Sequence, residues 1–130
     1  MPKTIVFLID DDLDDQEIFS FILSDSSSEV VCVFADDGLD ALEKLQDVSF
    51  KPQIIFIDFN MPRLNGLETL KEIKKIKHLS DTPVYMYSTS NESSIVEASK
   101  IAGATGFIKK HIDTDIAKQE FQNIIAKLNL

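Results

Sequence analysis

The chain has 130 residues, enough for one domain over residues 1–130 with a single core and no room for a second. Hydrophobic residues make up 44% of it, which excludes disorder, and the longest apolar run, Ile5–Ile9, is far too short to cross a bilayer. A formal charge of −9, from 22 acids against 13 bases, argues against nucleic acid as a direct ligand and favours a cation or a protein partner with a basic patch.

The opening MPKTIV has neither the charged nor the apolar region of a signal peptide, so a cytoplasmic protein is expected. IVFLI (5–9) reads as the first strand, and LIDDDLDD (8–15) crowds five aspartates directly behind it. At an effective dielectric near 20, two such charges about 4 Å apart repel by roughly 4 kcal/mol, so the crowding calls for a reason. Ile18, Phe19, Ile22 and Leu23 then form a helical stripe, and the polar DSSSE at 25–29 is a loop too short to be a domain boundary.

VVCVF (30–34) is the second strand. It holds the single cysteine, Cys32, which can form no disulfide within the chain, fits a reducing compartment and reads as a buried, inert thiol. Leu39, Leu42 and Leu45 form the next stripe, IIFI (54–57) the third strand, and Leu67, Leu70, Ile73 and Ile76 the stripe after it. VYMY (84–87) is followed by a stripe of Ile95, Val96, Ala98, Ile101 and Ala102, with Asn91 as N-cap. GFI (106–108) is followed by Ala117, Phe121, Ile124 and Leu128, capped by Asp113 or Thr114. Continuous apolar runs of this length read as strands buried on both faces, and five β-then-α units imply a parallel sheet covered by helices on both sides.

Ligands of such sheets bind outside the carboxyl ends of the strands. The residues arriving there are Asp10-Asp11-Asp12, Asp58-Phe59-Asn60-Met61-Pro62, Ser88-Thr89-Ser90 and Lys109-Lys110-His111. Neighbouring strands are about 4.8 Å apart, so carboxylates on adjacent strand ends can share one ion. Asp10 or Asp11 together with Asp58 suits Mg²⁺, which takes one or two carboxylates and keeps waters and a phosphate oxygen. The competing account is that the acids complement the positive N-terminal end of the first helix. It suits Asp14, Asp15 and Glu17, leaves Asp12 undecided, and suits Asp10 and Asp11 less well.

Other site types fail on the letters. An EF-hand starting at Asp10 would place Asp15 where glycine is needed and Phe21 where glutamate is needed. The four glycines lie at 38, 66, 103 and 106, so no dinucleotide loop or P-loop follows the first strand. Asp10-Asp11-Asp12 resembles the DxD nucleophile of haloacid-dehalogenase-type phosphatases, but the chain is short for that class and its tail, GATGFIKKHI, is basic where a metal-binding acidic pair is needed.

FLIDDD, IIFIDFNMPRLNGLE, PVYMYSTS and AGATGFIKK, in this order and spacing, resemble the receiver domain of two-component response regulators, the family of the chemotaxis regulator CheY. The likeness runs from Lys3 to about Leu128, and DDDLDD is similar to stand-alone regulators paired with phytochrome-type kinases. The resemblance implies strand order 2-1-3-4-5, a flavodoxin-like doubly wound sheet. It implies Asp58 as phosphoacceptor, Asp10 and Asp11 as the acidic pair with Asp11 the direct metal ligand, and Asn60 giving its backbone carbonyl to Mg²⁺. It further implies Ser88 as the hydroxyl that follows the phosphoryl group, Lys110 as the essential amine and Phe107 as the aromatic switch. The implied donor is a sensor histidine kinase or a histidine phosphotransfer protein, and the output passes to a downstream protein, with no nucleic acid or membrane insertion. An adaptor that is never phosphorylated is the alternative, but its mark would be loss of the acidic pair, Asp58 or Lys110.

Two positions depart from the family pattern. Lys110 is followed by His111 instead of proline, and Ser88 by Thr89 instead of alanine or glycine. A cis bond before a non-proline residue costs about 2.5–4 kcal/mol, so a trans Lys110–His111 bond is expected. His111 and His78 read as surface loop histidines.

Overall fold

The computed structural model describes residues 4–24, 30–61, 64–90, 92–110 and 114–128. The apolar runs become five parallel strands, β1 (Thr4–Ile9), β2 (Val30–Ala35), β3 (Ile54–Asp58), β4 (Val84–Ser88) and β5 (Gly106–Lys109). They lie in the order β2-β1-β3-β4-β5, as the resemblance implies. The helices are α1 (Leu13–Ser24), α2 (Gly38–Leu45), α3 (Gly66–Ile73), α4 (Ser93–Ile101) and α5 (Thr114–Leu128), with a 3₁₀ turn at Lys77–Leu79. The expected caps Asn91 and Asp113, the residue His111 and the Lys110–His111 bond lie outside the described residues. Thr114 is the first residue of α5.

Side chains alternate across each strand, so the sheet divides the single core expected from chain length into two, one on each face. Phe7, Ile9, Ile55, Ile57, Val84 and Met86 meet Ala41 and Leu45 of α2 and Leu70 and Ile73 of α3. Val6, Leu8, Ile54, Phe56, Tyr87 and Ile108 meet α1 and α5 on the other face. There Phe19, Phe56 and Phe121 form an edge-to-face trio with centroids 4.8–5.3 Å apart. Such pairs add about 0.5–1.5 kcal/mol beyond their burial, which fixes α1 and α5 against the centre of the sheet.

Burial on both faces holds for β1, β3 and β4 but not for the edges. Only Ala35 of β2 and Ile108 of β5 are buried, because an edge strand has one neighbour and short helical cover. Cys32 is accordingly half-buried instead of buried, although burial still pushes its thiol up to about 11 and keeps it protonated. The α4 stripe is also rotated from expectation. Ile101 is 78% exposed, and the core position is taken by Ser99, whose hydroxyl donates to the Ile95 carbonyl at 2.9 Å. Ile18 and Leu39 point outward too, at 46% and 50% exposure, and α5 buries Ile125 where Ile124 was expected. Helix α3 ends at Ile73, so Ile76 and His78 lie beyond it. His78 is half-buried rather than free on the surface, and among the described residues its Nε2 has no hydrogen-bond partner.

Candidate functional site

The register explains how the acids and the amine meet. Val6 pairs with Ile54 and Ile9 with Ile57, so the next step brings Asp10 beside Asp58. Asp58 pairs with Tyr87, and Tyr87 with Ile108, two residues before Lys110. Alternation therefore puts Asp10, Asp58, Tyr87 and Lys110 on the face covered by α1 and α5. Ser88 has the opposite parity, the side of Val84 and Met86.

Asp10 is wholly buried, Asp58 is 5% exposed, and Asp11 stands in solvent at the rim. One carboxylate oxygen from each lies within 4.8 Å of the others. This is a hard, all-oxygen donor set at the mouth of a strand edge, and it fits a small divalent cation. Asp10 Oδ1 accepts from the Asp12 amide at 2.9 Å and Oδ2 from the Tyr87 hydroxyl at 2.5 Å. Both of its oxygens are thus engaged within the protein. Asp58 Oδ1 accepts from the Asn60 amide at 3.2 Å and faces Lys110 Nζ at 3.4 Å. Among the described residues no hydrogen bond goes to Asp58 Oδ2, which leaves that oxygen open to chemistry.

The electrostatics follow from burial. Desolvation pushes the Asp58 carboxyl up to about 7, with Lys110 opposing and the Asp10 charge adding to the rise. Burial likewise raises Asp10, against its hydrogen bonds from Tyr87 and the Asp12 amide. For Lys110, burial pulls the ammonium down, but its hydrogen bond to Asp15 and the fields of Asp10, Asp58 and Asp15 outweigh that and hold it above its ordinary value. Burial, with the Asp10 charge next, pushes the Tyr87 phenol up, so it stays a donor.

The loop after β3 is shaped by α3. Asn65 and Glu68 form a reciprocal capping box, and the Gly66 amide donates to the Phe59 carbonyl at 3.1 Å. A side chain at Gly66 would place its Cβ 2.3 Å from the Asp58 carbonyl oxygen, so only glycine lets α3 begin this close to the acid. Ser88 Oγ accepts from the Ser90 amide at 3.2 Å and lies 3.5 Å from Asn60 Nδ2. The Asn60 side chain is exposed. Phe107 is half-buried against the α2–α3 core and borders a pocket of about 170 Å³ with Val96, Ser99 and Lys100.

Two residues of the site escaped the sequence reading. Tyr87 reads as core filler in VYMY, yet its hydroxyl serves Asp10 and its ring lies 4.5 Å from Lys110 Nζ. Only the register that sets it opposite Asp58 reveals this role. Asp15 lies in the first turn of α1, as expected, but it also pairs with Lys110 at 2.8 Å. Asp12 is settled as the cap of α1, since its Oδ1 accepts from the amides of Asp14 and Asp15.

A doubly wound parallel sheet with a buried carboxylate, an acidic cluster and a lysine at its carboxyl edge defines a signalling domain of the CheY-like class. Residues 6–122 match the response regulator receiver domain, and the chain belongs to that family, the receivers of two-component signalling. It is 34% identical over 105 residues to a protein-glutamate methylesterase/protein-glutamine glutaminase of Methanospirillum hungatei, covering 81% of this chain and 30% of that protein. It is 40% identical over 87 residues to the transcriptional regulatory protein CpxR homolog of Haemophilus influenzae, covering 67% of this chain and 35% of that protein. The chain thus spans about a third of the length of these relatives. Among solved structures it is similar to the phosphorylated cyanobacterial phytochrome response regulator RcpA, with TM-score 0.86, 26% identity and 95% and 91% of the two chains covered. It is also similar to the chemotaxis regulator CheY4 of Vibrio cholerae, with TM-score 0.81, 28% identity and 95% and 99% covered. The Mn²⁺-bound regulator Rcp1 gives TM-score 0.83 at 28% identity, with 95% and 91% covered. Among the described residues no helix is long and apolar enough to cross a membrane.

Proposed function

We propose that this receiver accepts a phosphoryl group on Asp58 from the phosphohistidine of a sensor histidine kinase or a histidine phosphotransfer protein, and signals through protein contacts. The observation that supports this best is the meeting of Asp10, Asp11, Asp58 and Lys110 at one strand edge, with Asp58 Oδ2 left open.

In the reaction, Asp58 Oδ2 forms a bond to phosphorus as the phosphorus–nitrogen bond of the donor breaks, and the imidazole leaves with the bonding pair. Phosphoryl transfer asks a protein mainly for alignment and charge neutralisation. Asp58 is aligned by the Asn60 amide on Oδ1. Lys110 stands 3.4 Å away to neutralise the transferred oxygens. Asp11, Asp58 and the backbone carbonyl of Asn60 would hold Mg²⁺, with Asp10 acting indirectly because both of its oxygens are engaged. The ion supplies further neutralisation of the phosphoryl oxygens when bound. Ser88 donates to the phosphoryl group only once the group is there, and Phe107 follows it inward. That difference between states is what biases a conformational equilibrium.

Acetyl phosphate with Mg²⁺ tests the reading. Intact mass should show one phosphoryl group per chain, lost in Asp58→Ala and formed much more slowly in Lys110→Ala. A group mapped to Asp10 would favour the phosphatase alternative, and no uptake would favour the adaptor.

A further inference from the structure

Among the described residues, Lys110 makes its shortest ionic contact with Asp15 and not with Asp58. Its Nζ is 2.8 Å from Asp15 Oδ2, against 3.4 Å from Asp10 Oδ2 and 3.4 Å from Asp58 Oδ1. The ring of Tyr87 floors the same spot, with its centroid 4.5 Å from Nζ. An ammonium has three N–H donors, and three carboxylates already surround this one.

Asp15 is held where it can do this. Asp12 caps the first turn of α1, and Gln16 Nε2 ties that turn to the Asp10 carbonyl at 2.8 Å and to Asp36 at 3.2 Å. The contact is partly shielded, since the Lys110 side chain is 16% exposed and that of Asp15 30%. A cavity of about 70 Å³ between α1 and α5 adjoins it, lined in part by Asp15, Tyr87 and Lys110.

We propose that Asp15 is a positioning residue that gives Lys110 a rest site over the Tyr87 ring, in competition with the phosphoryl group on Asp58. The proposal rests on Asp58 being the phosphoacceptor. Once Asp58 is esterified, its own charge is gone and the attraction it exerted on the ammonium passes to the phosphoryl oxygens. Those oxygens must draw Lys110 away from Asp15, so Asp15 weakens retention of the group.

The test is a double-mutant cycle on the full chain: wild type, Asp15→Asn, Lys110→Ala and the double variant. Each is titrated with beryllofluoride in Mg²⁺ and followed by amide shifts, which read weak as well as tight binding. For the wild-type lysine background, Asp15→Asn should tighten beryllofluoride by about threefold and lengthen the phosphorylated half-life by a similar factor, as expected for a partly exposed ion pair. With Lys110→Ala, the same substitution should change affinity little. Equal effects in both backgrounds would reduce Asp15 to a general charge and overturn the proposal. So would an unchanged or weakened affinity in Asp15→Asn. If wild type binds no beryllofluoride and takes no phosphoryl group, the phosphoacceptor reading itself fails, and that outcome is visible before any variant is made.

Discussion

Replacing Asp58 with asparagine should stabilise the metal-free protein, and the gain should grow with pH. Asp58 is 5% exposed, and burial raises its carboxyl from 3.8 to about 7, with Lys110 opposing and the Asp10 charge adding. The unfolded chain releases this proton near 3.8 and the folded chain only near 7, so between those values the folded state holds more protons. Stability is therefore lost as pH rises through the window, and the loss is complete above it. At about 1.36 kcal/mol per pH unit, the rise corresponds to about 4 kcal/mol. That is a ceiling, because Asp10 and Lys110 share the same field and readjust when one charge changes. Asparagine keeps the shape and carries no charge at any pH. With 1–2 kcal/mol of the ceiling realised and about 3–4 °C of Tm per kcal/mol at this chain length, Asp58→Asn should melt roughly 3–8 °C above wild type at pH 8. Thermal unfolding in a chelator at pH 5, 6, 7 and 8 measures it. The gap should be smallest at pH 5. A gap constant with pH, or a variant less stable than wild type at pH 8, would show that burial does not penalise the Asp58 charge.

Saturating Mg²⁺ should more than close that gap and leave wild type the more stable of the two. At about 100 times its Kd, a ligand of the native state alone adds about 2.7 kcal/mol, and calorimetry should find that increment in wild type and little of it in Asp58→Asn. Gly66→Ala should destabilise the fold by about 1–3 kcal/mol and slow phosphorylation, because its Cβ would sit 2.3 Å from the Asp58 carbonyl oxygen and 2.7 Å from Phe59 Cα. Chemical denaturation and phosphorylation rates check the two halves, and a variant normal in both would mean that α3 can shift away freely. Phe107 is half-buried, so seating it fully gains about 1 kcal/mol, enough to move a two-state balance several-fold. Phe107→Tyr should keep partner binding and Phe107→Ala should uncouple it from phosphorylation. Unchanged amide exchange on α4, β5 and α5 with beryllofluoride would place the output surface elsewhere.

The parts of this molecule legible in its sequence are those that depend on one segment at a time. Five apolar runs and the stripes between them define the sheet and its helices, and the polar residues just behind the runs mark the edge where the site lies. What was hidden depends on which strand is at the rim and which side chain faces which. Cys32 and the rest of β2 read like any buried run by their apolar letters alone, and only the strand order implied by the resemblance set β2 at an edge. Ser99 took the α4 core position from Ile101 because α4 covers only the margin of the sheet, where a hydroxyl bonded to its own helix is as well accommodated as an isoleucine. Tyr87 and Asp15 each had an adequate local account, as core filler and as helix-end charge. Their second roles exist only because β4 pairs with β3 and α1 passes over Lys110.

The half-covered state of β2 has a consequence for handling and for mutation. Six consecutive residues, VVCVFA, carry no charge and no proline, and they form an outer strand paired on one side only, with the Phe34 carbonyl on its outer edge taken by Lys44 Nζ at 3.2 Å. Charges, prolines and bulges are the usual guards of such an edge, and within these six residues there is neither a charge nor a proline. Protection falls instead to α1 and α2, which shelter the strand while the fold is intact. Variants that loosen either helix should therefore be lost through self-association along β2, as precipitate or extended β-aggregate, before they show a clean reversible unfolding transition.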